Sequence, residues 1–373
     1  MKLGAATALT FSLGFWREAL AEPAVVGRGP YGRLRPADAL GVRLPEGFQT
    51  RLLGVTGQVV DGTTFEWVGA PDGAATFATE DGGWIYAANS EIASGKGGVA
   101  AIRFDASGDI VDAYRILSGT RRNCSGGSTA WGTWLSGEEV TGGHVWECDP
   151  HNPSEGVERP LLGTFSHEAA VVDPTTGYVY LTEDNSFGRF YRFRPTTYGD
   201  LSTGVFEAAK MNRAKTKLSW VAVSSDEPER SAATTSFKRG EGAWFSGKHV
   251  YFCTTGDNRV WAFNPETSAI EIIYDAALLG ADAPLHQPDA ITAHAPSGDL
   301  FVGEDADNLE VVLLAKRPGK RVAAPFLRLI GHGGSELTGL AFSPDGTRLY
   351  CSSQRGTDGT HGITFEITGP FRT

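Results

Sequence analysis

GGWIYAANSE, residues 82–91, is a short aromatic and β-branched run that opens on a glycine turn and closes on an acid. Its pattern returns five times, each copy ending in an acidic or glycine-rich turn: WGTWLSGEE at 131–139, GYVYLTEDN at 177–185, KHVYFCTTGDN at 248–258, GDLFVGEDADN at 298–308 and TRLYCSSQRG at 347–356. Past a glycine or polar turn each copy is followed by another strand-like run: GGVAAIRFD, GGHVWECDP, GRFYRFRP, RVWAFNP, LEVVLLA and GITFEITG. A third run precedes each, clearest in HEAAVVDP at 167–174, PDAITAHAP at 288–296 and LTGLAFSPDG at 337–346. The connecting turns DPTTG, APSG and SPDG carry hairpin chemistry, with a glycine free to take positive φ. Three or four strands per unit, six units and almost no helical periodicity after residue 22 predict an all-β fold, a six-bladed β-propeller. A two-sheet sandwich leaves the recurrence at roughly 47 residues unexplained. The propeller is expected as one domain over 22–373, with an insertion rich in Ser, Thr, Lys and Glu at about 199–233.

In a propeller the first strand of every blade lines the central channel, so equivalent positions on these strands form a ring. At the start of the inner runs stand Asp72 in APDG, Cys124 in NCSGG, Glu168 in SHEAA, Glu241 in KRGEG, Asp289 in QPDA and Glu336 in SELTG. The second strands end near Glu91, Glu139, Glu183, Asp257 and Glu304. Carboxylates crowded within a few ångströms cannot all stay ionised; they share protons or bind cations. A solitary acid of this kind is a solvated turn residue, but surface turns give no reason for an acid at the same inner phase in blade after blade. The expected metal ligands are Cys124, Glu91, Glu139, Glu168, Glu241, Asp289, Glu304 and Glu336.

Carboxylates without imidazole favour calcium, magnesium or manganese, and a lone thiolate among them suggests iron at one position. His144, His151, His249, His286, His294, His332 and His361 show no metal-ligand spacing, and His167, one residue from Glu168 on a strand, is expected to face away. Trp131 and Trp134 are expected to pack between blades. Arg239, two residues before Glu241, is expected on the same strand face. Its guanidinium suits bidentate capture of phosphate or carboxylate, or pairing with a ring acid.

Composition narrows the partners. A net charge of -11, with no Lys/Arg cluster longer than Arg121-Arg122, argues against a nucleic-acid or anionic-membrane surface. Four widely spaced cysteines without a C-x-x-C pair argue against a zinc ribbon or a thioredoxin site. Residues 1–21 carry an apolar run and Ala19-Leu20-Ala21 ahead of Glu22, as an export signal would, with the apolar tail of a twin-arginine type but no Arg-Arg pair. A natural start upstream of Met1 and a periplasmic or secreted location are expected. Nothing later is long and apolar enough for a membrane helix.

RNCSGGSTAWGTWLSGEE, GTFSHEAAVVDPTTGYVYLTEDN, FKRGEGAWF and LTGLAFSPDGTRLY, with LPEGF and PDGAATF near the start, resemble the PhoX-type alkaline phosphatases over residues 30–370 or so. The resemblance implies an exported, monomeric six-bladed propeller that carries a ferric iron pair and calcium ions on its axis and hydrolyses small phosphomonoesters. It implies Cys124 as the thiolate on iron, Glu168, Glu241, Glu139 and Glu91 as metal ligands, and Arg239 as the phosphate clamp, so that Arg239, Glu241 and Cys124 carry the chemistry. The chain departs from the family by its shorter length, by SGEE where a Cys tends to precede the paired glutamates, and by RGEG where RPEG is usual. Two rival readings remain at this point: a calcium-dependent lactonase-type propeller, and a metal-stabilised propeller that binds a ligand or partner without catalysis.

Overall fold

The computed structural model describes residues 23–152, 156–305 and 308–373; the export segment expected at 1–21 lies outside them. Six sheets, antiparallel except for one short edge strand that pairs parallel, are arranged as the blades of a propeller. Their inner strands, in blade order, are Pro71–Ala78, Asn123–Ser128, His167–Val172, Gly240–Ser246, Pro288–His294 and Leu337–Phe342. The six recurring segments form the second strands, Trp84–Ser90, Trp134–Glu138, Val179–Glu183, His249–Thr254, Asp299–Glu304 and Arg348–Ser353. The ring closes where Gln49–Val55, from near the start of the chain, pairs antiparallel with Ile363–Thr368 as the outer strand of the sixth blade. Two short strands, Val25–Val26 and Val42–Arg43, extend the outer edge of the fifth blade.

The blades are held by six apolar clusters, one at each interface between neighbours. A strand presents alternate side chains to opposite faces. On the second strand of the first blade, Trp84, Tyr86 and Ala88 therefore pack toward the sixth blade, and Ile85 and Ala87 toward the second. Both faces are buried, which is why these strands read as nearly continuous apolar runs. Trp134 packs at the interface of the first and second blades and donates its indole N–H to Asn89 Oδ1 (2.8 Å), and Trp131 lies against the cluster between the second and third.

The stretch read as an insertion, 199–233, supplies the fourth strand of the third blade, Gly204–Met211, before it departs from the repeat with a fifth strand, Leu218–Ala222. The loop that follows returns Arg230 to the buried Glu183. All four cysteines are unpaired thiols.

Candidate metal centre

Every inner strand meets its second strand with one extra residue, between Pro71 and Ala74, Asn123 and Gly126, His167 and Ala170, Gly240 and Ala243, Pro288 and Ile291, and Thr338 and Ala341. A bulge re-aims the side chain that it carries. In five blades that residue is Asp72, Cys124, Glu168, Glu241 or Asp289, and the repetition gathers them at one end of the axis. The next residue is always small: Gly73, Ser125, Ala169, Gly242, Ala290 and Gly339. The reason is steric, since a Cβ on Gly73 would sit 2.5 Å from Ser125 Cα and one on Gly242 2.7 Å from the Asp289 carbonyl oxygen.

The sixth blade differs from expectation. Its backbone bond from Gln354 N–H to the Glu336 carbonyl (3.1 Å) is the counterpart of Thr255 N–H to Arg239 (3.1 Å) and Glu139 N–H to Arg122 (2.8 Å). Glu336 therefore stands where Arg122 and Arg239 stand, at the rim, and reaches the cavity from there. The sixth ring position belongs to Thr338, whose hydroxyl donates to the Pro71 carbonyl (2.8 Å).

From the second strands, the residue just past the strand end turns inward. Glu91, Glu139, Asp184 and Asp305 line the cavity. The residue before each faces away, and three of these are acids held by backbone N–H groups. Glu138 accepts from Arg121 (2.9 Å) and His144 (3.2 Å), Glu183 from Arg189 (3.1 Å), and Glu304 from His286 (2.7 Å) and Glu310 (3.1 Å). The expectation for Glu304 is thus corrected to Asp305, and that for Glu183 to Asp184. Asp257 is engaged with Thr254 and Arg259; in that blade Thr255 takes the inward position and donates to Glu241. In the sixth blade Gln354 does so, and its amide bridges Asp72 and Glu91.

The result is a cavity of about 200 Å³ that Cys124, Glu168, Glu241 and Asp289 line from the inner strands and Arg122, Arg239 and Arg355 from the rim. Three overlapping sets of donor atoms lie within 4.8 Å of one another: Asp72, Glu91 and Cys124; Cys124, Glu139 and Glu168; and Glu168, Glu241 and Asp289. The Cys124 thiol lies 3.4 Å from Glu168 Oε1. Burial, then the mutual repulsion of the acids, pushes Asp72, Glu168 and Asp289 well above the usual carboxylate range. Burial and the same neighbours raise the Cys124 thiol. Glu139 is pushed up to about 9, Glu241 to about 8 and Glu336 to about 7, burial leading in each case. Opposing charge is scarce. Arg239 chelates Asp184 (Nε to Oδ1 2.7 Å, Nη2 to Oδ2 3.1 Å) and lies 3.3 Å from Glu241. It stands just ahead of its strand, with a left-handed backbone (φ 50°), and lines the same cavity as Glu241.

These donors fit a cluster of hard cations with one softer position. Oxygen atoms a few ångströms apart can share an ion, and a cation removes the repulsion of several acids together. No histidine is among the described residues that line the cavity; His167 turns away and engages the Gly163 carbonyl (2.9 Å).

A family model described as alkaline phosphatase PhoX matches residues 87–275, slightly more than half of the chain and most of the acids above. The chain belongs to the PhoX alkaline phosphatase family. With membership comes the reaction class, the hydrolysis of phosphomonoesters. Among solved structures, the PhoX of Pseudomonas fluorescens in complex with vanadate, a transition-state analogue, is 17% identical and superposes with a TM-score of 0.74 over 90% of this chain and 97% of that one. A gluconolactonase from Xanthomonas campestris is 13% identical, with a TM-score of 0.51 over 92% of this chain and 99% of that one. At these identities the likenesses speak for the propeller. No curated protein matches the chain.

Proposed function

We propose that phosphomonoester hydrolysis takes place in the axial cavity, on a cluster of iron and calcium ions held by the inner-strand ring and the inward acids of the second strands. The observation that carries this reading is the chain of three donor sets that share Cys124 and Glu168, with a guanidinium beside the last of them. The thiolate of Cys124 with Glu139 and Glu168 suits iron. The all-oxygen sets that include Asp72, Glu91, Glu241 and Asp289 suit calcium. Bound ions there supply a lowered pKa for water and electrostatic stabilisation of the leaving oxygen.

The chain's own residues do the rest. Asp184 holds the fork of Arg239 in place, leaving its remaining N–H groups for phosphoryl oxygens in the geometry that guanidinium–phosphate pairs prefer. Thr255 fixes the Glu241 carboxylate by its hydroxyl. The buried floor keeps bulk water out, so each fixed charge acts at low effective dielectric. Export to the periplasm and a monomeric state belong to the same proposal; the pattern of residues 1–21 and the family resemblance support them.

Replacing Glu241 by Gln tests the assignment. Metal content by elemental analysis and turnover of p-nitrophenyl phosphate are both expected to collapse. A variant that keeps normal turnover sinks the role given to Glu241.

A further inference from the structure

Among the described residues three guanidiniums line the cavity, and the reading above uses one. Arg122 and Arg239 occupy equivalent positions two residues before the ring, with the same left-handed backbone (φ 46° and 50°). Arg355 follows the inward Gln354 of the sixth blade. In a ring of six, the fourth blade, which carries Arg239, faces the first, and Arg122 and Arg355 come from the second and sixth blades on either side of that first blade. Among the described residues each of the two pairs with one carboxylate: Arg122 Nη1 lies 3.0 Å from Glu91 Oε1, and Arg355 Nη2 lies 2.7 Å from Glu336 Oε1. Their side chains are 51% and 41% exposed, so part of each five-donor fork is open to the mouth. Glu91 is shared as well, since it also accepts from Gln354 (2.7 Å).

We propose that Arg122 and Arg355 form a second anion subsite, so that the preferred substrates are phosphomonoesters whose alcohol part carries another anionic group, a carboxylate or a second phosphate. This rests on the axial phosphatase reading. The phosphate lies beside Arg239, and the second anion lies across the mouth against the first blade. An alcohol part with a neutral group there forgoes the charge-assisted hydrogen bonds that the open donors of the two guanidiniums would make.

The metal-loaded protein is tested with 3-phosphoglycerate and glycerol 3-phosphate, which share a primary-alcohol leaving group and differ by a carboxylate against a hydroxymethyl group. A preference for the carboxylate in kcat/KM of about tenfold to a hundredfold is expected. It is expected to fall toward one in Arg355→Ala and Arg122→Ala and to survive in part in the Lys variants. Calorimetric affinities for 3-phosphonopropionate and propylphosphonate read the same preference without turnover. Each measurement compares two ligands on one protein, so a loss of folded variant cancels. Equal rates on both esters overturn this inference and leave the phosphatase reading standing. Turnover of neither ester, with the phosphonates still distinguished, overturns the phosphatase reading and keeps the subsite. Phosphonates bound alike by the wild type, or a preference unchanged in both Ala variants, removes it.

Discussion

Stripping the ions from the axial cluster is expected to make the protein less stable as the medium becomes more alkaline. In the folded chain Glu336, Glu241 and Glu139 take up protons at about 7, 8 and 9, whereas in the unfolded chain each ionises near its ordinary value of 4.5. Between pH 7 and pH 9 the folded state therefore holds protons that the unfolded state has already lost, and stability falls as pH rises. Integrated over that window, the three groups together remove about 4 kcal/mol. For a chain of this length, whose unfolding entropy is about 0.7 kcal/mol per kelvin, that lowers Tm by about 5 °C. Asp72, Glu168 and Asp289, which burial and their acidic neighbours also push up, act in the same direction. With ions bound, cations stand where the protons stood, and the slope disappears. Thermal unfolding of chelator-treated and metal-reconstituted protein at pH 7, 8 and 9 measures the difference directly. A stripped protein whose Tm is level or rises across the window, or a loaded one that falls equally, refutes the reasoning.

Cys124→Ser is expected to empty the iron position by elemental analysis and to reduce p-nitrophenyl phosphate hydrolysis by at least about 100-fold. Undiminished turnover would remove the Cys124 thiolate, and the iron position it serves, from the reaction. Arg239→Ala is expected to retain the metals, because Asp184 and Glu241 remain, and to lose about 10²- to 10³-fold in kcat/KM. Arg239→Lys is expected to recover only part of this, since an ammonium lacks the planar fork; full recovery by Lys would reduce the clamp to a simple positive charge.

The architecture was legible because a propeller repeats its physics. Each second strand is sandwiched between two apolar clusters, so the same aromatic and β-branched wording recurs, as in GGWIYAANSE and GYVYLTEDN. The ring was legible in five of its six places for the same reason: one bulge aims one residue inward in every blade. His167 was correctly read as facing away, because alternation along a strand is local information.

What escaped was register at the strand ends, where a shift of one residue sends a side chain to the other face. GEDADN offers Glu304 and Asp305 side by side, and only the position at which the strand stops pairing selects Asp305. TEDN poses the same choice between Glu183 and Asp184. Yet the acid that turns away is not idle: Glu138, Glu183 and Glu304 pin the backbone N–H groups of neighbouring loops, so an adjacent acid pair is one residue that builds the turn and one that faces the axis. The sixth ring position carried a signal of a different kind. Close approach between blades forces a small residue immediately after every ring residue, which Asp72-Gly73 and Glu241-Gly242 obey and Glu336-Leu337 does not. That steric rule excludes Glu336 and admits Thr338-Gly339 in LTGLAF, and the bond from Gln354 N–H to the Glu336 carbonyl fixes the choice. In the sixth blade a hydroxyl and the Gln354 amide stand where other blades place carboxylates, and Glu336 and Arg355 reach the cavity from the rim.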